Sequence, residues 1–363
     1  MRAALALARR GLGNTWPNPS VGCVIVRDGR VVGRGNTAPW GRPHAEPQAL
    51  AMAGELARGA TAYVTLEPCC FQGRTPPCTE ALIEAGIARV VVATADPDPR
   101  VNGAGLRRLR DAGIEVVQGV LRDEAEEIAE GLFHRIRLGR PMVTLKLATT
   151  LDGRIATAGG ESQWITGGPA RRLGQALRGR HDAVMVGIGT AMADDPDLTC
   201  RIPGYKTTPM VRVIADGHLS LRLLSRLVVT AKQTPTWLIA RDDADPARAA
   251  ALEELGVALL RVPGGEAGVD IAAGLAALAG RGITRLLVEG GARLAATLLR
   301  ADLVDRLAWF HAPAVMGGDG VAAAQAFGVT ALAAMPRFRR LRVTMAGDDV
   351  LTELQRLPRE DEG

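Results

Sequence analysis

Apolar positions along this chain switch repeatedly between alternating, strand-like spacing and the three-to-four spacing of helices. Residues 21–26 and 31–35 are β-branched runs flanking Arg27-Asp28-Gly29-Arg30, where Asp-Gly predicts a hairpin turn. A helix is expected over 44–58, a short strand over 63–66, and a second helix over 79–85, stopped by Gly86. Two further strands at 90–95 and 114–117 precede a charged helix over 122–138. The arginine-bearing start, residues 1–10, lacks acidic residues as a transit peptide would. It runs straight into Pro17-Asn18-Pro19 and the first strand, so a first domain helix is expected instead.

Gly139-Arg140-Pro141 interrupts the pattern and marks a boundary, giving expected domains at 1–140 and 141–358. At 363 residues, two domains are the default. The second domain opens with a strand over 142–148. Strands at 183–187, 211–215, 227–230, 236–240, 257–262 and 286–288 follow. Those at 307–311, 338–344 and 350–354 lack long helices between them, predicting antiparallel edge strands on an otherwise parallel sheet. Strands interleaved with helices make both halves α/β, with layers covering the sheet on both faces. There is no internal repeat, and the acidic tail at 359–363 is expected to be disordered.

Composition narrows the class. Hydrophobic residues at 47% and charged residues at 23% are ordinary for a globular protein with sizeable cores. Aromatics at 3% argue against stacking platforms for single-stranded nucleic acid. A net charge of +5 suits phosphate-bearing ligands without implying nucleic-acid binding. Five cysteines, two of them adjacent, do not resemble a disulfide framework, and a reducing cytoplasm is expected. No apolar run reaches the roughly 18 residues that a membrane span needs.

The candidate chemistry begins at His44-Ala45-Glu46, followed by Pro68-Cys69 and Cys78. Neutral imidazole from His44 and thiolates from Cys69 and Cys78 would fill three of four tetrahedral zinc positions, leaving one for water. Zinc lowers the pKa of such a water from about 15.7 toward about 7. Glu46 is placed to move its proton to a ring nitrogen and to leaving ammonia. This is the equipment of a zinc-dependent deaminase acting on an amino-substituted ring. Cys69 is preferred to Cys70 because it follows Pro68. A closed zinc site or no metal at all are the bland alternatives. Cys23, in an apolar run, and Cys200 are read as small core residues.

In the second half, residues 288–297 run strand, double glycine, helix, and such a helix start can cradle phosphate. A tight turn needing glycine explains the same residues. Arg178 and Arg201, flanking residues 191–196, can hold a phosphate bidentately, or can simply be surface arginines.

The motifs Pro17-Asn18-Pro19-Ser20-Val21-Gly22, His44-Ala45-Glu46, Thr65-Leu66-Glu67-Pro68-Cys69 and Gly73-Arg74-Thr75-Pro76-Pro77-Cys78 recur together in one family. So do Lys146-Leu147-Ala148, Leu151-Asp152-Gly153, residues 160–166, Ala193-Asp194-Asp195-Pro196 and Val288-Glu289-Gly290-Gly291. The chain resembles the bifunctional riboflavin-biosynthesis deaminase-reductases over nearly its whole length. The resemblance implies a cytidine-deaminase-like α/β/α domain followed by a dihydrofolate-reductase-like domain with a mostly parallel sheet. It implies hydrolytic loss of the 2-amino group of 2,5-diamino-6-ribosylamino-4(3H)-pyrimidinone 5′-phosphate, then NADPH-dependent reduction of the ribosyl chain to 5-amino-6-(5-phospho-ribitylamino)uracil. His44, Cys69 and Cys78 would bind Zn2+, Glu46 would move protons, and Asn18 and Arg74 would contact the first substrate. Ala148, Trp164, Thr190, Asp194 and the turn of Gly291, Ala292, Arg293, Leu294, Ala295, Ala296 and Thr297 would face NADPH. Ser162, Arg178, Leu198, Arg201 and Glu289 would contact the second substrate, with Lys146 and Asp152 lining that cleft. The family further implies a homo-oligomer, a dimer or larger, with a small phosphorylated pyrimidine as its only kind of partner.

Two departures stand out: Cys70-Phe71-Gln72 replaces a segment commonly read Ser-His-His, and Asp98 stands where asparagine is frequent. A tRNA or nucleoside deaminase with an appended nucleotide-binding domain is the enzymatic rival, but it leaves the motifs from Lys146 to Glu289 unexplained. A basic, zinc-stabilised nucleic-acid-binding module is the non-enzymatic rival. It predicts salt-sensitive RNA binding and tolerance of Glu46→Gln.

Overall fold

A computed structural model describes residues 1–265 and 268–357, and the acidic tail lies outside the described residues. The chain divides into two compact units, Met1–Gly139 and Arg140 onward. The amino-terminal unit opens with helix α1 (Arg2–Gly11), followed by β1 (Gly22–Arg27) and β2 (Arg30–Asn36). Asp28 and Gly29 both adopt positive φ, the geometry that a tight hairpin of this hand requires. Then come α2 (Ala45–Ala53), β3 (Thr61–Val64), α3 (Cys78–Glu84), β4 (Arg89–Val92), α4 (Ala104–Asp111), β5 (Glu115–Gln118) and α5 (Arg122–Leu138).

The five strands are ordered β2-β1-β3-β4-β5, with β1 antiparallel to β2 and β3, and β3, β4 and β5 mutually parallel. Ile25, Val64, Leu82, Val90, Val92 and Leu109 are buried together in the core. Two glycines on β2 set how closely a helix can approach. A Cβ on Gly33 would lie 2.1 Å from the Ala49 carbonyl oxygen, and one on Gly35 would lie 2.3 Å from that of Ala45. Helix α2, whose N-cap is His44, therefore lies directly on the strand.

The carboxy-terminal unit contains β6 (Met142–Thr149), β7 (Arg154–Ala156), α6 (Gly168–Gly179), β8 (Ala183–Gly187), α7 (Ile188–Asp194), β9 (Val211–Ala215), α8 (Arg226–Val229) and β10 (Thr236–Arg241). It continues with α9 (Pro246–Glu254), β11 (Ala258–Val262), α10 (Ile271–Gly280), β12 (Arg285–Val288), α11 (Ala292–Arg300), β13 (Arg306–His311), β14 (Val321–Ala322), β15 (Phe338–Ala346) and β16 (Asp349–Arg356). Nine of these strands form one sheet, β11-β10-β9-β8-β12-β6-β13-β16-β15, while β7 and β14 pair separately. The chain lays strands outward from β8 to β11, then returns to insert β12 between β8 and β6. That reversal is the switch point at which open α/β sheets bind ligands, beyond the carboxyl ends of the strands.

Two expectations are corrected. Residues 227–230 were expected as a strand, yet Arg226–Val229 is a helical turn. Leu227, Val228 and Ala231 bury on one side of it, and a run this short carries no decisive period. The strand expected at 307–311 is not an antiparallel edge strand. It pairs parallel with β6, because α11 supplies the crossover from β12. β15 and β16 are antiparallel, as expected.

Candidate active sites

Helix α2 begins at its N-cap His44, and Glu46 occupies its first turn. The end of β3 leads through Thr65-Leu66-Glu67-Pro68 to Cys69, and Cys78 opens α3. The structure brings these together. His44 Nδ1 lies 3.3 Å from Cys78 Sγ and 3.7 Å from Cys69 Sγ, and the ligand atoms of all three residues fall within 4.8 Å of one another. Tetrahedral zinc with nitrogen at about 2.0–2.1 Å and sulfur at about 2.3 Å separates the two donors by about 3.5 Å. The imidazole–sulfur separations thus suit a zinc ion, and the three donors are one fewer than tetrahedral zinc takes. Cys70, the competing thiol, points elsewhere, toward the Arg100 carbonyl oxygen at 3.7 Å.

Protonation within the cluster follows its contacts. The Cys78 thiol donating to Cys69 pulls Cys69 down to about 4, with His44 assisting against the cost of burial. Cys78 rises because it keeps that shared proton and is buried, and His44 rises mainly through its hydrogen bond with Cys69. The backbone N–H of Cys78 also donates to Cys69 Sγ at 3.4 Å. Glu46 is buried and its pKa is raised, first by burial and then by the charge of Cys69. Asn18 Nδ2 donates to the Gly41 carbonyl at 2.8 Å and lies 3.4 Å from His44 Nε2, on the side of the ring away from the cysteines. Arg74 is exposed on the loop between the cysteines, without a hydrogen bond or ion pair among the described residues.

Glu67 is a residue that motif reading left without a role. It is buried and accepts the backbone N–H groups of Asp96 at 3.3 Å, Gly103 at 2.9 Å and Leu106 at 3.2 Å. It thereby ties the segment carrying Cys69 to the loop before α4. Its only sequence signal is a carboxylate lodged between an apolar strand and a proline.

In the second unit, Arg178 and Glu289 form a buried bidentate pair at 2.6 and 2.9 Å, and Arg178 also donates to the Thr199 carbonyl. Burial works to raise the Glu289 pKa, but the Arg178 guanidinium overrides it and holds the carboxyl below its ordinary value. Lys146 lies on β6 with its ammonium 5.8 Å from the Phe310 ring centre, and Ala148 packs beside the same ring. Both Asp152 oxygens are engaged by the Thr150 hydroxyl and the backbone N–H groups of Met316 and Gly317, which lower its pKa to about 2.

Gly291 caps α11 without a side-chain hydrogen bond, leaving the first N–H groups of Ala292, Arg293 and Leu294 directed outward along the helix axis. A Cβ on Gly291 would lie 3.0 Å from Thr190 Oγ1, so the two helix starts meet at the switch point. This arrangement fits a dinucleotide phosphate. Leu294, Ala295 and Ala296 turn their side chains into the core, while Thr297 bonds back to the Arg293 carbonyl. Leu198 is likewise a core side chain. Arg201 and Asp194 are exposed and Ser162 half-buried. Trp164 is 68% exposed and stacked on Arg171 at 4.7 Å.

A histidine–dicysteine cluster over a buried acid, joined in one chain to a doubly wound unit with a phosphate-type helix start, defines a two-headed α/β enzyme. Residues 1–94 match the cytidine and deoxycytidylate deaminase zinc-binding region, and residues 141–352 match the RibD C-terminal domain. The RibD proteins of Aquifex aeolicus and Escherichia coli are each 42% identical to this chain, over 98% of it and 97% and 98% of their own lengths. A solved structure of Acinetobacter baumannii RibD superposes with a TM-score of 0.88 at 38% identity, covering 98% of both chains. A Thermotoga maritima structure, described as a diaminohydroxyphosphoribosylaminopyrimidine deaminase/5-amino-6-(5-phosphoribosylamino)uracil reductase, gives 0.83 at 34% identity, over 98% of this chain and 97% of that one. The chain belongs to the RibD family, the bifunctional deaminase-reductases of riboflavin biosynthesis.

Proposed function

We propose that the amino-terminal unit removes the 2-amino group of 2,5-diamino-6-ribosylamino-4(3H)-pyrimidinone 5′-phosphate as ammonia, and that the other unit reduces the ribosyl chain of the product. The observation that carries the first step is the His44–Cys69–Cys78 cluster with Glu46 buried beside it. Zinc held by His44, Cys69 and Cys78 would supply a Lewis acid that lowers the pKa of water. Glu46 accepts a proton from the incoming water and delivers it to the adjacent ring nitrogen; it then takes the proton of the added hydroxyl and passes it to the amine, as the C–N bond breaks and the carbonyl forms. Its raised pKa suits a group that must both take and give a proton near neutrality. Asn18 orients the ring, and exposed Arg74 takes the phosphate.

For the second step, NADPH supplies the hydride. The N-terminal turn of α11, with Gly291 and Ala292, holds the cofactor's phosphates, and Thr190, Trp164 and Ala148 complete its bed. Lys146, Arg178, Arg201 and Glu289 face the sugar phosphate, with Ser162 and the backbone of Leu198, whose side chain lies in the core, at its margin. Asp152 acts through the loop it clasps rather than through a free carboxylate. The unit boundary near Gly139 separates the two activities. A homo-oligomer in the cytoplasm is the expected setting, checked by sedimentation and by fractionation; among the described residues no helix is long and apolar enough to cross a membrane.

The test is incubation of the diaminopyrimidinone phosphate with enzyme alone and with added NADPH, with products identified by mass. Amino-to-oxo exchange alone, followed by gain of two hydrogens only when NADPH is present, is the expected result. Reduction without NADPH, or no exchange with zinc-replete enzyme, overturns the proposal.

A further inference from the structure

The loop between the two cysteine ligands is gripped from both sides by arginines that the proposed chemistry does not use. On one side, the Arg100 guanidinium lies over the Phe71 ring at 4.4 Å and donates bidentately to Asp98, from Nη2 to Oδ2 at 2.6 Å and from Nε to Oδ1 at 3.0 Å. The Cys70 thiol reaches the Arg100 carbonyl, fixing the backbone at the same point. On the other side, Arg42, two residues before His44, donates to Thr75 Oγ1 at 2.5 Å. Thr75 O in turn accepts from Gly73 N at 3.3 Å, closing a turn around Arg74. Arg74 stands between these two grips, exposed and without a partner of its own among the described residues.

Phe71 belongs to one of the two departures noted in the sequence, the Cys70-Phe71-Gln72 segment, and Asp98 is the other; the structure joins them through one side chain, Arg100. We propose that Arg100 and Arg42 are positioning residues that clamp this loop and present Arg74 to the substrate's phosphate. The inference rests on the proposed role of Arg74 as phosphate ligand. The physical argument is one of preorganisation. A long cationic side chain on an eight-residue loop loses much conformational freedom on binding an anion, and anchoring the loop beforehand removes part of that cost. An arginine stacked on an aromatic ring and tied to a carboxylate is a stiff anchor, because its planar head is fixed in two directions.

The test is a set of mutant cycles on the full, zinc-loaded chain, assayed for deamination with the phosphorylated substrate and with its dephosphorylated counterpart. Arg74→Ala is expected to raise KM for the phosphorylated substrate by at least about tenfold. Arg100→Ala and Arg42→Ala are each expected to raise it about two- to fivefold, with kcat and zinc stoichiometry unchanged. Phe71→Tyr keeps the stack and should keep the wild-type KM. Two readouts separate positioning from general loosening of the fold. The clamp variants should not change KM for the dephosphorylated substrate, and they should add nothing in an Arg74→Ala background. Additive effects in that background, a fall in kcat, or loss of zinc overturns the clamp. If Arg74→Ala leaves KM unchanged, the phosphate role of Arg74 fails and the clamp with it. A normal Arg74 effect with silent Arg42 and Arg100 variants sinks the clamp alone.

Discussion

In the proposed reaction Glu46 meets two opposing demands: it must be an anion to take a proton and an acid to give one. Burial supplies the compromise by disfavouring the charged form, and the neighbouring Cys69 charge pushes the same way. Glu46→Gln keeps the volume and removes the proton relay. Zinc content should be retained while kcat for ammonia release drops by about 10²–10⁴, checked by metal analysis alongside a coupled ammonia assay. The four residues of this centre were legible in the sequence because the chemistry prescribes their types: imidazole, two sulfurs and an unligated carboxylate. Arg178 and Glu289 were each singled out in the sequence, but not as partners of each other. They are far apart along the chain, and nothing local records the pairing. With the Glu289 side chain only 10% exposed, Arg178→Leu strands a largely buried carboxylate and should destabilise its unit by about 3–5 kcal/mol, read by denaturant unfolding. Glu67 was visible as a member of the motif ending at Cys69, but its role was not, since a carboxylate serving three distant backbone N–H groups leaves no periodic trace.

Helices and strands carry these side chains, and their contacts govern how tightly. The strand glycines under α2 make the clearest case: Gly35→Ala places a methyl against the Ala45 carbonyl and pushes away the start of the helix that holds His44 and Glu46. Overpacking of this kind costs about 1–3 kcal/mol. The expected readout is weakened zinc retention in chelator competition, with the activity of the other unit intact.

His181, between α6 and β8, works differently. It is fully buried, its Nδ1–H donates to the Leu177 carbonyl at 2.7 Å, and its Nε2 accepts from the Thr144 hydroxyl at 2.9 Å. Burial, reinforced by the charge of Arg285, lowers its pKa to about 3. Between roughly 6.5 and 3 the unfolded chain binds a proton that the folded chain refuses, so stability from this residue falls as pH falls through that window. From pH 7 to pH 5 the loss is about 2 kcal/mol. Amide exchange in β6 and β8 should show it in the wild type, and His181→Gln should flatten that pH dependence. Most elements were legible from apolar spacing. The exceptions have physical causes: Leu227-Val228 is too short to reveal its period, and the direction of β13 depends on which strand it lands beside, a long-range fact.

Across the whole molecule, the two units answer to different chemical dependencies. On the proposed reading, one needs a cation held by His44, Cys69 and Cys78, and the other a dinucleotide at its sheet switch point. Each unit has a core of its own, with Ile25, Val64 and Leu109 in one and Val184, Ile214 and Leu238 in the other. A site built from residues of one core has no structural reason to fail when the other is stripped. Removing the metal with a strong chelator should therefore abolish ammonia release, and adding zinc back should restore it. NADPH oxidation driven by pre-deaminated substrate should continue at its original rate throughout. Glu46→Gln should give the same split without any change in metal. Loss of NADPH oxidation on chelation, in protein whose circular dichroism is unchanged, would mean that the metal centre supports both activities. The second unit would then depend on the first for more than its substrate.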